Sequence, residues 1–343
     1  MIFYCLFLLP LLLHADGIPK APEVFNINLD LPPSERFKEV VLAKKQGIIA
    51  LKNTIIQFIN VTDYTIKALG FYEELVYSHE NCYEELLGVA KYSGLTFGEV
   101  FLMNFIYEIL ASCTSIISID NEGNILHGRN LDYNFKEVLA EVTIRLRFWR
   151  NGTMLYEGDG EAGYLGLVTG LRPGAFGVTI NERNKGGPWD TIYEVLFKKT
   201  FAVPYFIRKV LENAENFTSA VEMFSSEEFA APCYLIVSGV KKNEGVVITR
   251  DRDGVNNVTQ INVDQPDQWY FVQTNYDRDL PDPASDYRRV PAEIRMKAIT
   301  REGINAQSMF DGVLNLVPNM RPSTILTSIM SAQTGYFNTT IWT

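Results

Sequence analysis

The sequence predicts an α+β fold laid out in blocks, and three observations predict it. Apolar positions recur at helical spacing over residues 34 to 112. At Cys113 the period changes to strand-like alternation and stays mostly so for many segments. Helical patterns return over about 189 to 227 and 291 to 316, between further strands. Blocks in that order make a layered domain, and the one boundary worth marking falls between Ser112 and Cys113.

The elements follow in order. Residues 1 to 15 read as a secretory signal: MIFYCLFLLPLLL is apolar but too short to cross a bilayer, and the small residues Ala15 and Gly17 suit a signal peptidase. Ser34 can cap a helix through SERFKEVVLAKKQGIIALKNTIIQFIN. FYEELVYSHENCYEELLGVAKYSG ends a second helix at Gly94, and Thr96 with Glu99 forms a capping box for LTFGEVFLMNFIYEIL. No strand signal interrupts this helical third.

CTSIISI, the turn DNEGN and ILHGRNLDY then make one hairpin. VTIRLRFWR and TMLYEG make another around Asn151-Gly152, a strong hairpin signal. YLGLVTG, a turn at RPGA and FGVTINER extend the sheet. After the helical stretch come CYLIVSG, GVVITRD, VTQINV and WYFVQTNYD, then helices, then TILTSIM and TGYFNTTIW.

Composition narrows the class. The chain is 47% hydrophobic and 12% aromatic, enough for a sizeable core rather than disorder. Its net charge of -10 argues against a nucleic-acid partner. Five Asn-x-Ser/Thr sequons, at Asn60, Asn151, Asn216, Asn257 and Asn338, agree with passage through the secretory pathway. Once Cys5 leaves with the signal, Cys82, Cys113 and Cys233 remain. An odd count in an oxidising compartment leaves a free thiol or one paired between chains.

Cys113 heads the alternating run, with Arg129 and Asp132 on the next strand. No HExxH or CxxC spacing exists, so a metal centre is not expected. His127 could meet Cys113 across the hairpin as a Cys-His pair, or be an ordinary ring satisfied by a neighbouring backbone group. A third scheme needs no histidine. If the chain is cut before Cys113, its own α-amine, of intrinsic pKa about 7.7 to 8.0, becomes a base held against the thiol by covalent geometry. Arg129 and Asp132, three apart, could instead be a plain surface ion pair worth under ~1 kcal/mol.

CTSI at 113 to 116 followed by HGRNLDY at 127 to 133 resembles the acid ceramidase and N-acylethanolamine acid amidase family of N-terminal-nucleophile hydrolases. INLDLPP, GYLGLVTGLRPG, NER, GVVITRDRDG, TNYD and the pair Arg288 and Arg289 match in the same order, so the resemblance spans nearly the whole chain after the signal.

What it implies is specific. The fold should be a four-layer αββα sandwich with an N-terminal helical α subunit of 16 to 112 and a catalytic β subunit of 113 to 343. The two would come from one precursor that cleaves itself and stay together as a heterodimer. Cys113 is the implied nucleophile, Arg129 and Asp132 hold its thiol and amine, and Asn275 donates to the oxyanion. Glu182 and Arg288 line the substrate site.

The implied reaction is hydrolysis of an N-acylated lipid in the lysosome, ceramide first and fatty acid ethanolamides second, without a cofactor. A lysosomal membrane surface or a lipid-presenting protein would be the partner. GLRPGAFGVTINERNKGG is the more ceramidase-like stretch, whereas the lack of Cys between 16 and 81 or after 233 is the more amidase-like trait. Outside the family, a papain-like thiol enzyme and a non-catalytic lipid-binding glycoprotein are the other readings.

Overall fold

The alternating segments pair into two sheets in a computed structural model, which describes residues 18–60, 62, 65–66, 81–104, 112–183, 185, 194 and 202–343. In chain order the strands are β1 (Pro19–Lys20), β2 (Glu23–Asn28), β3 (Ser112–Ile119), β4 (Ile125–Asp132), β5 (Thr143–Arg150), β6 (Thr153–Glu161) and β7 (Thr169–Arg172). There follow β8 (Phe176–Glu182), β9 (Cys233–Ser238), β10 (Gly245–Arg250), β11 (Val255–Gln260), β12 (Tyr270–Gln273), β13 (Thr324–Ser331) and β14 (Tyr336–Trp342). One sheet runs β1-β14-β13-β4-β3-β12 and the other β11-β10-β9-β8-β7-β6-β5-β2. Among the described pairs only β2 on β5 is parallel.

The helices are α1 (Pro33–Arg36), α2 (Lys38–Ile59), α3 (Asn81–Ser93), α4 (Phe97–Met103), α5 (Lys136–Val142), α6 (Val203–Asn213), α7 (Phe217–Ser226), α8 (Arg289–Gly303) and α9 (Ala306–Met309). Phe206 and Val210 of α6 and Phe224 of α7 share an apolar cluster with Val178, Leu235 and Ile248 of the eight-stranded sheet. Ala292 and Met296 of α8 and Met309 of α9 do the same with Ile116, Ile125 and Ile329 of the six-stranded sheet. Between the sheets, Ser115 on β3 bonds Thr179 (2.9 Å) and Asn181 (2.8 Å) on β8. This is the expected αββα sandwich.

The hairpin signals hold where their backbone chemistry is strict. Asn151 and Gly152 both take positive φ (50° and 73°), as a two-residue turn of the right hand requires. Gly94 (φ 80°) stops α3, and the Thr96 box opens α4 with both of its hydrogen bonds present. Such a cap contributes about 1 kcal/mol.

Several expectations need correction. The N-terminal third is not all helix, since β2 adds a parallel strand to the eight-stranded sheet, burying Phe25 and Ile27. Ser34 caps nothing: it lies inside α1, which follows Pro32 and breaks at Phe37 before α2 begins. YLGLVTG is loop until Thr169, because its backbone bonds go elsewhere: Leu165 N–H to Asn104 Oδ1 (2.8 Å) and Leu165 C=O to Arg208 (2.9 Å). Helix α5 was not anticipated. The signal and the stretches 67–80, 105–111 and 186–193 lie outside the described residues.

Candidate active site

Strand register brings the predicted site together. Cys113 stands opposite Leu131 on β4, and β12 flanks β3 on its other side with Gln273 opposite Ser115. Two residues further along β12's direction, Asn275 therefore falls beside Cys113. The Cys113 N–H donates to Asn275 Oδ1 at 2.8 Å. Its Sγ accepts from Arg129 Nη2 at 2.9 Å. Arg129 is held in turn by the Val168 carbonyl (3.0 Å) and Thr169 Oγ1 (2.7 Å), both reached through Nη1. Cys113 and Arg129 have no exposed surface.

Arg129 and Asp132 are not each other's partner. Three apart on a strand, they point to opposite faces. Arg129 looks between the sheets; Asp132 looks toward the helices, where its Oδ1 accepts from Thr324 (2.6 Å) and its Oδ2 from Arg288 (3.2 Å). Burial pushes the Asp132 carboxyl up, and the Arg288 charge and the Thr324 hydroxyl pull it part of the way back. Burial works against the Arg288 charge as well, but its bond to Asp286 and the charge of Asp132 outweigh that and raise its pKa. The surface ion pair envisaged for Arg129 and Asp132 is thus absent, and both are buried.

The Cys113 nitrogen meets Asn275, which shares Arg288 with Asp132. Asn275 Oδ1 accepts from Arg288 Nη2 (2.7 Å) as well as from Cys113, and its Nδ2 donates to the Glu182 carbonyl (2.8 Å). Glu182 thus enters the site through its backbone at the end of β8. Arg289, the second of the pair, turns away to Asp282 (3.1 Å).

His127 is a structural residue. It lies four residues from Leu131 along β4, about 13 Å at strand rise from the position facing Cys113. Its ring is held between Ser238 Oγ (3.1 Å) and Thr179 Oγ1 (2.9 Å), side-chain hydroxyls rather than the backbone group anticipated. Burial, aided by the Arg129 charge, drops its pKa to about 3, so it stays neutral. A Cys-His pair is excluded by this register.

Sequence reasoning missed Asp286 and Thr324, which anchor Arg288 and Asp132. Asp286, two residues before Arg288, carried a signal in its charge; Thr324 carried none. The five sequon residues, Asn60, Asn151, Asn216, Asn257 and Asn338, are all exposed. No group of three or more metal-ligating side chains occurs among the described residues. A thiol beside a guanidinium, with its nitrogen on an amide oxygen that an arginine also holds, is equipped for nucleophilic attack on a carbonyl.

Comparison with known proteins places these residues in context. Residues 20–72 match the family described as the beta subunit of N-acylethanolamine-hydrolyzing acid amidase. Residues 113–281 match the linear amide C-N hydrolases of the choloylglycine hydrolase family. An N-acylethanolamine-hydrolyzing acid amidase of Caenorhabditis elegans is 37% identical over 357 residues, covering 98% of this chain and 97% of that relative. The acid ceramidase of Homo sapiens is 32% identical over 336 residues, covering 92% and 85%. The solved structure of a Caenorhabditis elegans amidase ortholog superposes with a TM-score of 0.59 at 41% identity, over 64% of this chain and 93% of that one.

Proposed function

Because the chain belongs to the family of N-acylethanolamine-hydrolyzing acid amidases and acid ceramidases, hydrolases of linear amides, we propose that it splits the amide bond of N-acylated lipids with Cys113 as nucleophile. The observation that carries this reading is Arg129 Nη2 at 2.9 Å from Cys113 Sγ, at the residue where the amide hydrolase match begins. An unperturbed thiol of pKa about 8.5 is mostly protonated at acidic pH, and a guanidinium at this distance favours the thiolate.

Processing comes first. The Cys113 thiol attacks the Ser112 carbonyl, the Cys113 nitrogen leaves with a proton, and water opens the resulting thioester to a Ser112 carboxylate. The freed α-amine, held by Asn275 Oδ1, then serves as base and acid. In turnover Sγ attacks the substrate carbonyl, the oxyanion is met by Asn275 Nδ2, and the amine product departs with the α-ammonium proton. Water activated by the same amine releases the fatty acid. An oxyanion donor of this kind supplies ~3 kcal/mol.

Within the class we take fatty acid ethanolamides first, reversing the order the loop sequences favoured. The amidase relative at 37% identity over 97% of its length supports this. Ceramide is the second reading, supported by relatives at 32 to 34% identity. The signal over 1 to 15 and five exposed sequons fit delivery to an acidic compartment such as the lysosome, with a lipid surface as the place of work.

The test is protein expressed whole, acidified, weighed intact and assayed on both lipids. Fragments divided at Ser112/Cys113 should accompany activity, and Cys113→Ala should stay whole and inactive. A fully active single chain would sink the mechanism.

A further inference from the structure

Strand β6 ends in three acidic side chains on one face, Glu157, Asp159 and Glu161, spaced two apart. That face looks between the sheets, because Asp159 Oδ2 reaches Ser328 Oγ (3.0 Å) and Thr339 Oγ1 (2.6 Å) on the opposite sheet. Ser328 is the register partner of Arg129 on β4, and Thr169, which Arg129 bonds, is the register partner of Asp159. Arg129 therefore lies over the ends of β6 and β7, next to Glu161. All of these groups are buried.

The charges that face Glu161 are few. From β6 comes Asp159, whose two oxygens are taken by Arg145 of β5 at 2.6 and 3.2 Å. Glu157 is likewise occupied, by Arg145 and Arg147. From β4 comes Arg129, whose Nε makes no hydrogen bond. Asp132, Asp286 and Arg288 satisfy one another on the far face of the six-stranded sheet. One cation, Arg129, thus stands between two groups able to become anions: the Cys113 thiol and the Glu161 carboxyl.

We propose that Glu161 is a positioning residue that sets the alkaline limit of activity by competing with the Cys113 thiolate for Arg129. Two buried anions on one buried cation leave an uncompensated charge, so each anion disfavours the other. While Glu161 is neutral, Arg129 is committed to the thiolate. Once Glu161 ionises, the thiolate loses that support and the thiol takes back its proton. Burial and the neighbouring Asp159, against the pull of Arg129, raise the Glu161 pKa to about 7, so the neutral form prevails throughout acidic conditions. The device confines the nucleophile to acidic surroundings without touching substrate.

This inference rests on the reading of Cys113 as nucleophile, and the experiment separates the two. Processed wild type, Glu161→Gln and Cys113→Ala are compared by kcat/KM from pH 4 to 9, and by the rate at which iodoacetamide labels the Cys113 peptide in mass spectra. Glu161→Gln, isosteric with the neutral acid, should match wild type near pH 5. Near pH 8, one unit above the Glu161 midpoint, it should retain several-fold more of its acidic activity, up to roughly tenfold, with Cys113 labelling shifted in parallel. Superimposable profiles for wild type and Glu161→Gln would overturn the inference while leaving the function intact. Activity in Cys113→Ala would overturn both. If Glu161→Gln does not fold, Glu161→Asp takes its place. Its more acidic carboxyl should move the alkaline limb to lower pH, and an unmoved limb counts against the proposal.

Discussion

Two buried groups with opposite charge habits make the pH dependence of folding a sharp test. His127 takes up a proton in the folded chain only near pH 3, whereas in the unfolded chain it does so at 6.5. Between those values the unfolded chain holds more protons, so acidification favours unfolding. From pH 6.5 to 4.5, with the proton difference rising from one half to one at ~1.36 kcal/mol per unit, His127 removes about 2 kcal/mol of stability. Glu161 works the other way. Folded, it keeps its proton up to about pH 7 against 4.5 unfolded, so over the same window acidification restores about 2 kcal/mol.

In the intact chain the two slopes cancel, and each variant should expose the other residue. On a Cys113→Ala background, chosen to block the proposed cut, urea unfolding from pH 4.5 to 6.5 should give a nearly flat contribution from this pair. Adding His127→Gln should make stability fall as pH rises, and adding Glu161→Gln should make it rise with pH, each by about 2 kcal/mol relative to the parent. Slopes rather than intercepts carry the test, since either substitution changes packing by a constant amount. Three parallel curves would refute the assignment of His127 as buried and neutral and of Glu161 as buried and protonated.

Other outcomes follow from the site and its supports. Asn275→Ala should lower kcat by ~10² to 10³ on a short soluble amide if Asn275 is the proposed oxyanion donor, since it also removes the oxygen that holds the Cys113 nitrogen. A change confined to KM would move it to substrate binding. Glu85→Gln should cost about 3 to 5 kcal/mol in urea unfolding: Glu85 is buried and bonds both Arg36 (3.0 Å) and Arg208 (2.8 Å), which its loss leaves without a counterion. Unchanged stability in that variant would mean the two arginines find water.

The heart of the site was legible in sequence because each piece carried its own sign. A cysteine at a change of period marked Cys113, and a charged pair on the next alternating segment marked Arg129 and Asp132. The relation between them was not legible. Whether residues three apart meet depends on helix or strand geometry, and only register shows that Arg129 serves the thiol while Asp132 serves Arg288.

Elsewhere tertiary partners overrode local pattern. YLGLVTG reads as a strand by its apolar content, yet side chains of Asn104, Arg129 and Arg208 take its backbone groups and hold it as loop. β2 alternates over only six residues, too few to stand out beside long helices. Glu161 sat unread in GDGEAGY, where one sequence cannot tell a buried acid from a solvated one.

The segment before Cys113 does more than precede the proposed nucleophile. β1 closes the six-stranded sheet along β14, and β2 closes the eight-stranded sheet along β5. Both edges would otherwise present unpaired backbone donors and acceptors, a template for pairing with another molecule. The N-terminal segment is therefore an edge guard. If the chain is cut as proposed, losing it would expose two ladders at once, and a chain of 113–343 alone should aggregate through β5 and β14 rather than remain dispersed. If the proposed cut is made, both ladders stay covered only while the segment that was cut away stays bound.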